Sequence, residues 1–238
     1  MGLGGGEATT VHLARYPLRR TAVRLGLSRP PRPLPVWCAR AGASEAIVAG
    51  FFLRPGGEPL GELRTRGVRR RSAPFDPPWD GVRACLSISG ARIAIARRDA
   101  LPSAPRGDLL QAGPLLMAGG AVLARDGEDP EGFAAGAGQF DSDITAGRHP
   151  RAALALAGRE LLALACDGRA GDEAGLTLGE LASLLAELGA RDAINLDGGG
   201  STSLVCDGRL CNRPRADIGV EIPGGRPVTT ALFFSPVA

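Results

Sequence analysis

The sequence predicts an α+β fold, sheet-dominated and largely antiparallel, with one long helix and a few short ones. Three observations predict it. Short apolar runs, several of them alternating, are closed by turn dipeptides, which is the pattern of half-buried strands. Only one segment, 178–188 (LGELASLLAEL), carries a strong helical period. Glycine and proline make up 54 of the 238 residues, and with no Gly-x-y period they read as turns rather than low complexity. A hydrophobic fraction of 44% with nearly balanced charge allows a buried core. The whole of 1–238 is therefore read as a single domain.

The elements follow in order. Residues 1–7 (MGLGGGE) are glycine-rich and expected to be frayed and disordered; with no strand before them they are not read as a nucleotide-binding glycine run. Short strands are expected at 9–13 and 21–25. Residues 28–35 (SRPPRPLP) read as a linker with polyproline character, and 37–42 as a short helix. Residues 46–52 (AIVAGFF) read as a buried strand. The stretch 64–80 reads as a basic, then proline-rich surface loop, with Arg69–Arg71 as a solvated run or the rim of an anionic site. Two hairpins are expected, at 84–96 turning at Ser89-Gly90 and at 152–166 turning at Ala157-Gly158. The long helix, about 177–189, has Thr177 and Glu180 as a capping box and Gly189 as its stop. A strand at 193–196, a hairpin at 203–212 turning at Asp207-Gly208, and a last strand at 228–234 complete the chain.

Composition excludes several chemistries. All 28 basic residues are arginine, so a Schiff-base lysine or a P-loop lysine is impossible. A net charge of +3 and 4% aromatics do not support a nucleic-acid partner or a base-stacking platform. The five cysteines are an odd count and form no C-x-x-C. Without a visible signal peptide or transmembrane segment, the expectation is a cytoplasmic protein with reduced thiols and no membrane partner.

Four constellations carry candidate chemistry. In 195–203 (NLDGGGSTS), Asn195 and Asp197 lie two apart, on one side of a strand end. Gly198, Gly199 and Gly200 follow and can present N–H groups as an anion nest, with Ser201 and Thr202 adding hydroxyls. The alternative is a strand-to-strand turn that Asp197 merely caps. Asp167-Gly168-Arg169 ends another strand, which would bring a second carboxylate to the same sheet edge, the equipment of a glycosidase; an ordinary D-G turn is the alternative. Residues 141–151 offer Asp141, Asp143, Arg148, His149 and Arg151. Asn212 and Arg213 follow the hairpin after Asp197. Cys166 and Cys206 read as inert strand residues, and no G-x-S-x-G elbow supports a serine triad.

In this order the motifs resemble those of the phosphodiester glycosidase family. The residues that carry the resemblance are Gly50-Phe51-Phe52 with Pro59-Leu60-Gly61, His149-Pro150-Arg151-Ala152, and Asp167-Gly168-Arg169. The Thr177–Glu180 helix start, 192–204 (DAINLDGGGSTSL) and Asn212-Arg213-Pro214 complete them, spanning about 46–234. The resemblance implies a hydrolase that cleaves the glycosidic C–O bond of a small-molecule or glycan sugar-1-phosphodiester, with no cofactor. It places Arg151, Asp167, Asn195, Asp197, Gly198 to Ser201, Asn212 and Glu180 at motif positions. The family motif has Asn where Val48 stands here, so the sugar preference of other members does not carry over. On this basis Asp197 and Asp167 are the expected reacting carboxylates, with Asp197 favoured. Arg151 and Arg169 are expected to clamp phosphate. Asn195, Asn212, Arg213, Thr202, His149, Gly50 and Phe51 are expected to contact substrate. Two other classes remain: a non-catalytic binder of sugar phosphates or anionic glycans, and a metal-dependent phosphodiesterase using Asp141, Asp143, Asp167 and Asp197.

Overall fold

The computed structural model describes residues 1–134, 139 and 144–237. Three antiparallel sheets share one core. The first has six strands in the order Val11–Pro17, Glu160–Cys166, Ala152–Ala157, Asp192–Asn195, Leu115–Ala118, Ala121–Val122. The second runs Val68–Arg69, Leu63–Thr65, Asp108–Gln111, Ala84–Ser89, Arg92–Arg97. The third runs Arg209–Leu210, Leu204–Cys206, Glu45–Val48, Val228–Pro236, Thr21–Arg32.

The apolar runs AALALA and ELLALAC are explained by burial on both faces. Leu154, Leu161, Ala163 and Ala165 enter the shared core. Ala153, Ala155, Leu162 and Leu164 alternate with them and pack under the long helix α2, Leu178–Glu187. That helix starts as the sequence predicts, with Thr177 Oγ1 accepting from Glu180 N and Glu180 Oε2 accepting from Thr177 N, both at 3.0 Å. Its buried face is Leu178, Leu181, Ala182 and Leu185.

Several expected boundaries move. Residues 28–35 are no linker: the strand Thr21–Arg32 continues through Pro30 and Pro31, with Arg32 paired to Val228 after a register shift. This strand is the sheet's edge, where missing proline N–H groups cost no ladder bond. The first helix, α1 (Leu34–Ala41), accordingly begins earlier than 37, with Pro35 in its first turn and left-handed Gly42 as its cap. The strand expected over 46–52 stops at Val48. Part of the expected 64–80 loop is strand, Leu63–Thr65 paired with Val68–Arg69. All three predicted hairpins form; the one after Leu204 turns at Asp207-Gly208 as expected, whereas the other two turn one residue later, at Gly90-Ala91 and Gly158-Arg159, because the glycines take φ +59° and +58°. Residues 1–7, expected to fray, form a closed turn: the Met1 amino group donates to Thr9 O, and Leu3 N to Glu7 O.

Candidate functional site

An open cleft of about 780 Å³ lies where the strand Asp192–Asn195 ends. Asp197 is half-buried in its wall beside the glycine run. Burial pushes the Asp197 carboxyl up to about 6; the Ser201 hydroxyl, Arg226, the Gly198 N–H and Arg54 pull the other way without cancelling it. Gly198 N donates to Asp197 Oδ1 at 3.0 Å.

The glycines do not form the open anion nest that the sequence suggests. Gly198 N is taken by Asp197 Oδ1 and Gly199 N by Pro150 O on the neighbouring loop, while Ser201 N and Thr202 N donate back to Gly198 O and Gly199 O, so these four donors are already used. What the glycines supply is space. A Cβ at Gly199, where φ is +58°, would stand 3.2 Å from both terminal nitrogens of Arg169. A Cβ at Gly200 would stand 2.7 Å from Arg226 Nη2. Two guanidinium groups therefore lie against the turn where side chains would otherwise be.

Arg169 is itself left-handed, at φ +60°. Its Nη1 donates to Ala216 O at 2.6 Å, and its carbonyl accepts from Gly219 N. It so ties the hairpin of Arg215–Asp217 and Val220–Glu221 to the cleft wall. Burial lowers its pKa from the usual arginine value; Asp217 opposes this and Arg54 adds to it.

The other predicted residues divide sharply. His149, Arg151, Phe51, Asn195, Gly198, Gly199, Gly200 and Ser201 line the cleft. Asp167, Gly50, Thr202, Asn212 and Arg213 do not. Asp167, expected as a second reacting carboxylate, is only 3% exposed. Its Oδ2 meets His12 Nε2 at 2.9 Å and its Oδ1 accepts from Arg213 N at 2.6 Å. It ties the first strand and the loop after the hairpin to its own strand end. Asn212 pins the turn before it, donating to Thr202 O and accepting from Leu204 N. Gly50 is a packing glycine, since a Cβ there would meet Leu110 Cδ1 at 2.7 Å. Thr202 is fully buried.

Arg151 lines the cleft but is committed to backbone. It donates to Leu176 O at 3.0 Å, Ile144 O at 2.8 Å and Gly147 O at 3.2 Å. These three bonds brace the loop carrying His149, whose Nε2 meets Ala146 O. Glu180, besides capping its helix, pairs with Arg148, which also pairs with Glu7. Asp141 and Asp143 lie outside the described residues. Among the described residues no group of three or more His, Cys, Asp or Glu side chains is placed to hold a metal ion.

Sequence reasoning missed Arg54 and Arg226, both in the cleft and both acting electrostatically on Asp197. Arg54 follows Phe52 by two residues, and Arg226 follows Gly224-Gly225. In a chain whose every basic residue is arginine, neither position stands out.

A family model of phosphodiester glycosidases matches residues 41–235. The chain belongs to the phosphodiester glycosidase family. The catalytic domain of zebrafish N-acetylglucosamine-1-phosphodiester alpha-N-acetylglucosaminidase, in a form auto-inhibited by its pro-peptide, superposes with TM-score 0.66 at 19% identity. The match covers 95% of this chain and 82% of that one. A hypothetical protein from Synechocystis gives 0.65 at 20% identity and covers 97% of this chain, which spans only 60% of that protein. A putative exported protein from Burkholderia pseudomallei gives 0.65 at 17%, covering 99% and 75%. At these identities the solved structures establish the shared fold. No curated protein matches the sequence.

Proposed function

We propose that this phosphodiester glycosidase family member hydrolyses the bond between the anomeric carbon of a sugar and a phosphodiester oxygen, releasing free sugar and phosphomonoester. One observation carries the proposal. The half-buried Asp197 carboxyl, raised to about 6, stands in a cleft beside a glycine turn closed over by two guanidinium groups. The arginines Arg54, Arg169 and Arg226 suit an anionic phosphoryl group, since a guanidinium fork matches phosphate oxygens. A carboxylate poised near neutrality suits proton transfer.

In the proposed reaction a water molecule attacks the anomeric carbon and gives its proton to ionised Asp197. The C–O bond to phosphate breaks, and its electron pair stays on the phosphate oxygen. The departing phosphomonoester is already a stable anion, so charge stabilisation by the arginines replaces protonation of the leaving group. Arg151 and His149 shape the loop that bounds the cleft. The five free cysteines fit the reducing, cytoplasmic setting that we also propose.

The test is hydrolysis of methyl α-glucopyranosyl phosphate and related sugar-1-phosphodiesters in ¹⁸O water. Label appearing in the sugar supports the proposal. Label in the phosphate, or no hydrolysis of any such diester, overturns it.

A further inference from the structure

Asn195 is 1% exposed and lines the cleft. Its side-chain nitrogen is fully used: Nδ2 donates to Gly113 O at 2.9 Å and to Leu196 O at 3.0 Å. Those two carbonyls also fix which way the amide faces, because a flipped amide would set oxygen against oxygen. Asn195 Oδ1 is buried and accepts no hydrogen bond among the described residues. A buried acceptor left without a donor is costly. Asn212 shows the contrast, since both ends of its amide are satisfied by backbone. Thr202 and Ser203 also carry buried hydroxyls without a hydrogen-bond partner among the described residues, but neither lines the cleft.

We infer that Asn195 Oδ1 is a substrate subsite for a hydrogen-bond donor, and that the donor is the sugar hydroxyl on the carbon next to the anomeric one. This rests on the proposed reaction at Asp197. The site takes a donor only, because its one uncommitted atom is an acceptor. The choice of hydroxyl follows from reach. Asn195 and Asp197 are two residues apart, so their backbones are separated by at most about 7 Å. With Asp197 serving the anomeric carbon, the hydroxyl one carbon away is the donor within range of Asn195. A hydrogen bond to the 2-hydroxyl strengthens as positive charge develops on the sugar ring in glycoside hydrolysis. Asn195 is thus a specificity-determining residue that reads the 2-position and leaves the phosphate to the arginines.

The test compares two substrates on two proteins: methyl α-glucopyranosyl phosphate and its 2-deoxy analogue, each with the wild type and Asn195→Ala. Intrinsic reactivity of the 2-deoxy sugar cancels in the ratio of ratios, and so does any loss of folded protein. The expected result is that the wild type prefers the 2-hydroxyl substrate at least ~10-fold more in kcat/KM than Asn195→Ala does. Equal preference in the two proteins overturns the inference while leaving the proposed reaction intact. A wild type that hydrolyses neither diester counts against glucose as the sugar of the proposed reaction and moves the reading of the subsite to binding. The subsite is then read by calorimetry with the wild type alone: α-glucose 1-phosphate must bind more tightly than its 2-deoxy analogue. Equal affinity, or no binding of either, overturns the inference. The calorimetric arm also serves if Asn195→Ala does not fold.

Discussion

Replacing Asp197 with Asn should stabilise the protein at neutral pH. The unfolded carboxyl ionises at its ordinary value of 3.8, the folded one at about 6. Below 3.8 both states hold the proton and the site costs nothing. Between 3.8 and about 6 only the unfolded chain releases it, so the penalty on folding grows with pH. Above about 6 both states are ionised and the full penalty remains. At about 1.4 kcal/mol per pH unit, the gap between the two values is worth about 3 kcal/mol. Asparagine removes this charge while keeping the shape and one acceptor for the Gly198 N–H. Any fixed difference in hydrogen bonding between the two side chains does not vary with pH. The quantity to measure is therefore how the stability gap between Asp197→Asn and wild type changes with pH. The penalty is about 1 kcal/mol at pH 4.5 and about 3 kcal/mol at pH 8, so the gap should widen by about 2 kcal/mol in favour of the variant. Urea unfolding at pH 4.5, 6 and 8 reads this directly. In thermal melts it is a shift of roughly 4–8 °C for a chain of this size. A gap that stays constant with pH, or closes as pH rises, would refute the assignment of Asp197 as a desolvated carboxyl. The same variant should lose hydrolysis by at least ~100-fold. A gain in stability together with a loss of activity is the signature of a strained functional group, which a capping aspartate would not show.

Further outcomes follow from the same geometry. The rate of hydrolysis should rise with pH through about 6 and then level off, because Asp197 must be ionised to take the water proton; a rate falling over that range would make it an acid instead. Asp167→Asn should lower the melting temperature by weakening the ties to His12 and Arg213, at a cost of about 1–3 kcal/mol, while kcat of the folded variant stays within about tenfold of wild type. A loss of several orders of magnitude in kcat would restore Asp167 to the chemistry. Gly200→Ala should raise KM with little effect on melting temperature, since the new methyl displaces the flexible end of Arg226. Gly199→Ala should raise KM and also lower the melting temperature, losing about 1–2 kcal/mol because its backbone is left-handed as well.

Local chemistry in the sequence carries much of this protein. Alternating and doubly apolar runs specify the strands Ala84–Ser89, Arg92–Arg97, Ala152–Ala157 and Glu160–Cys166, because side-chain period alone decides which faces are buried. The Thr177–Glu180 capping box specifies where α2 starts, because both hydrogen bonds close within four residues. Asp197 and its glycines are legible for the same reason: an acid followed at once by three residues without side chains marks a place where something must come close.

What lay beyond the sequence depends on partners distant in the chain. Pro30 and Pro31 belong to a strand only because that strand falls at a sheet edge. Asp167 and Asp197 both end strands, yet 155 residues separate Asp167 from the His12 that occupies it, and nothing near Asp167 in sequence announces that pairing. The two asparagines look equivalent as letters; Asn212 is consumed by its own turn, whereas Asn195 is held by Gly113 from across the sheet with its oxygen left over. The arginines show the limit most clearly. Charge type is written in the sequence, but whether a guanidinium braces a loop, as Arg151 does, or closes on the glycine turn, as Arg169 and Arg226 do, is decided by which backbone carbonyls and which empty Cβ positions the tertiary structure brings within its reach.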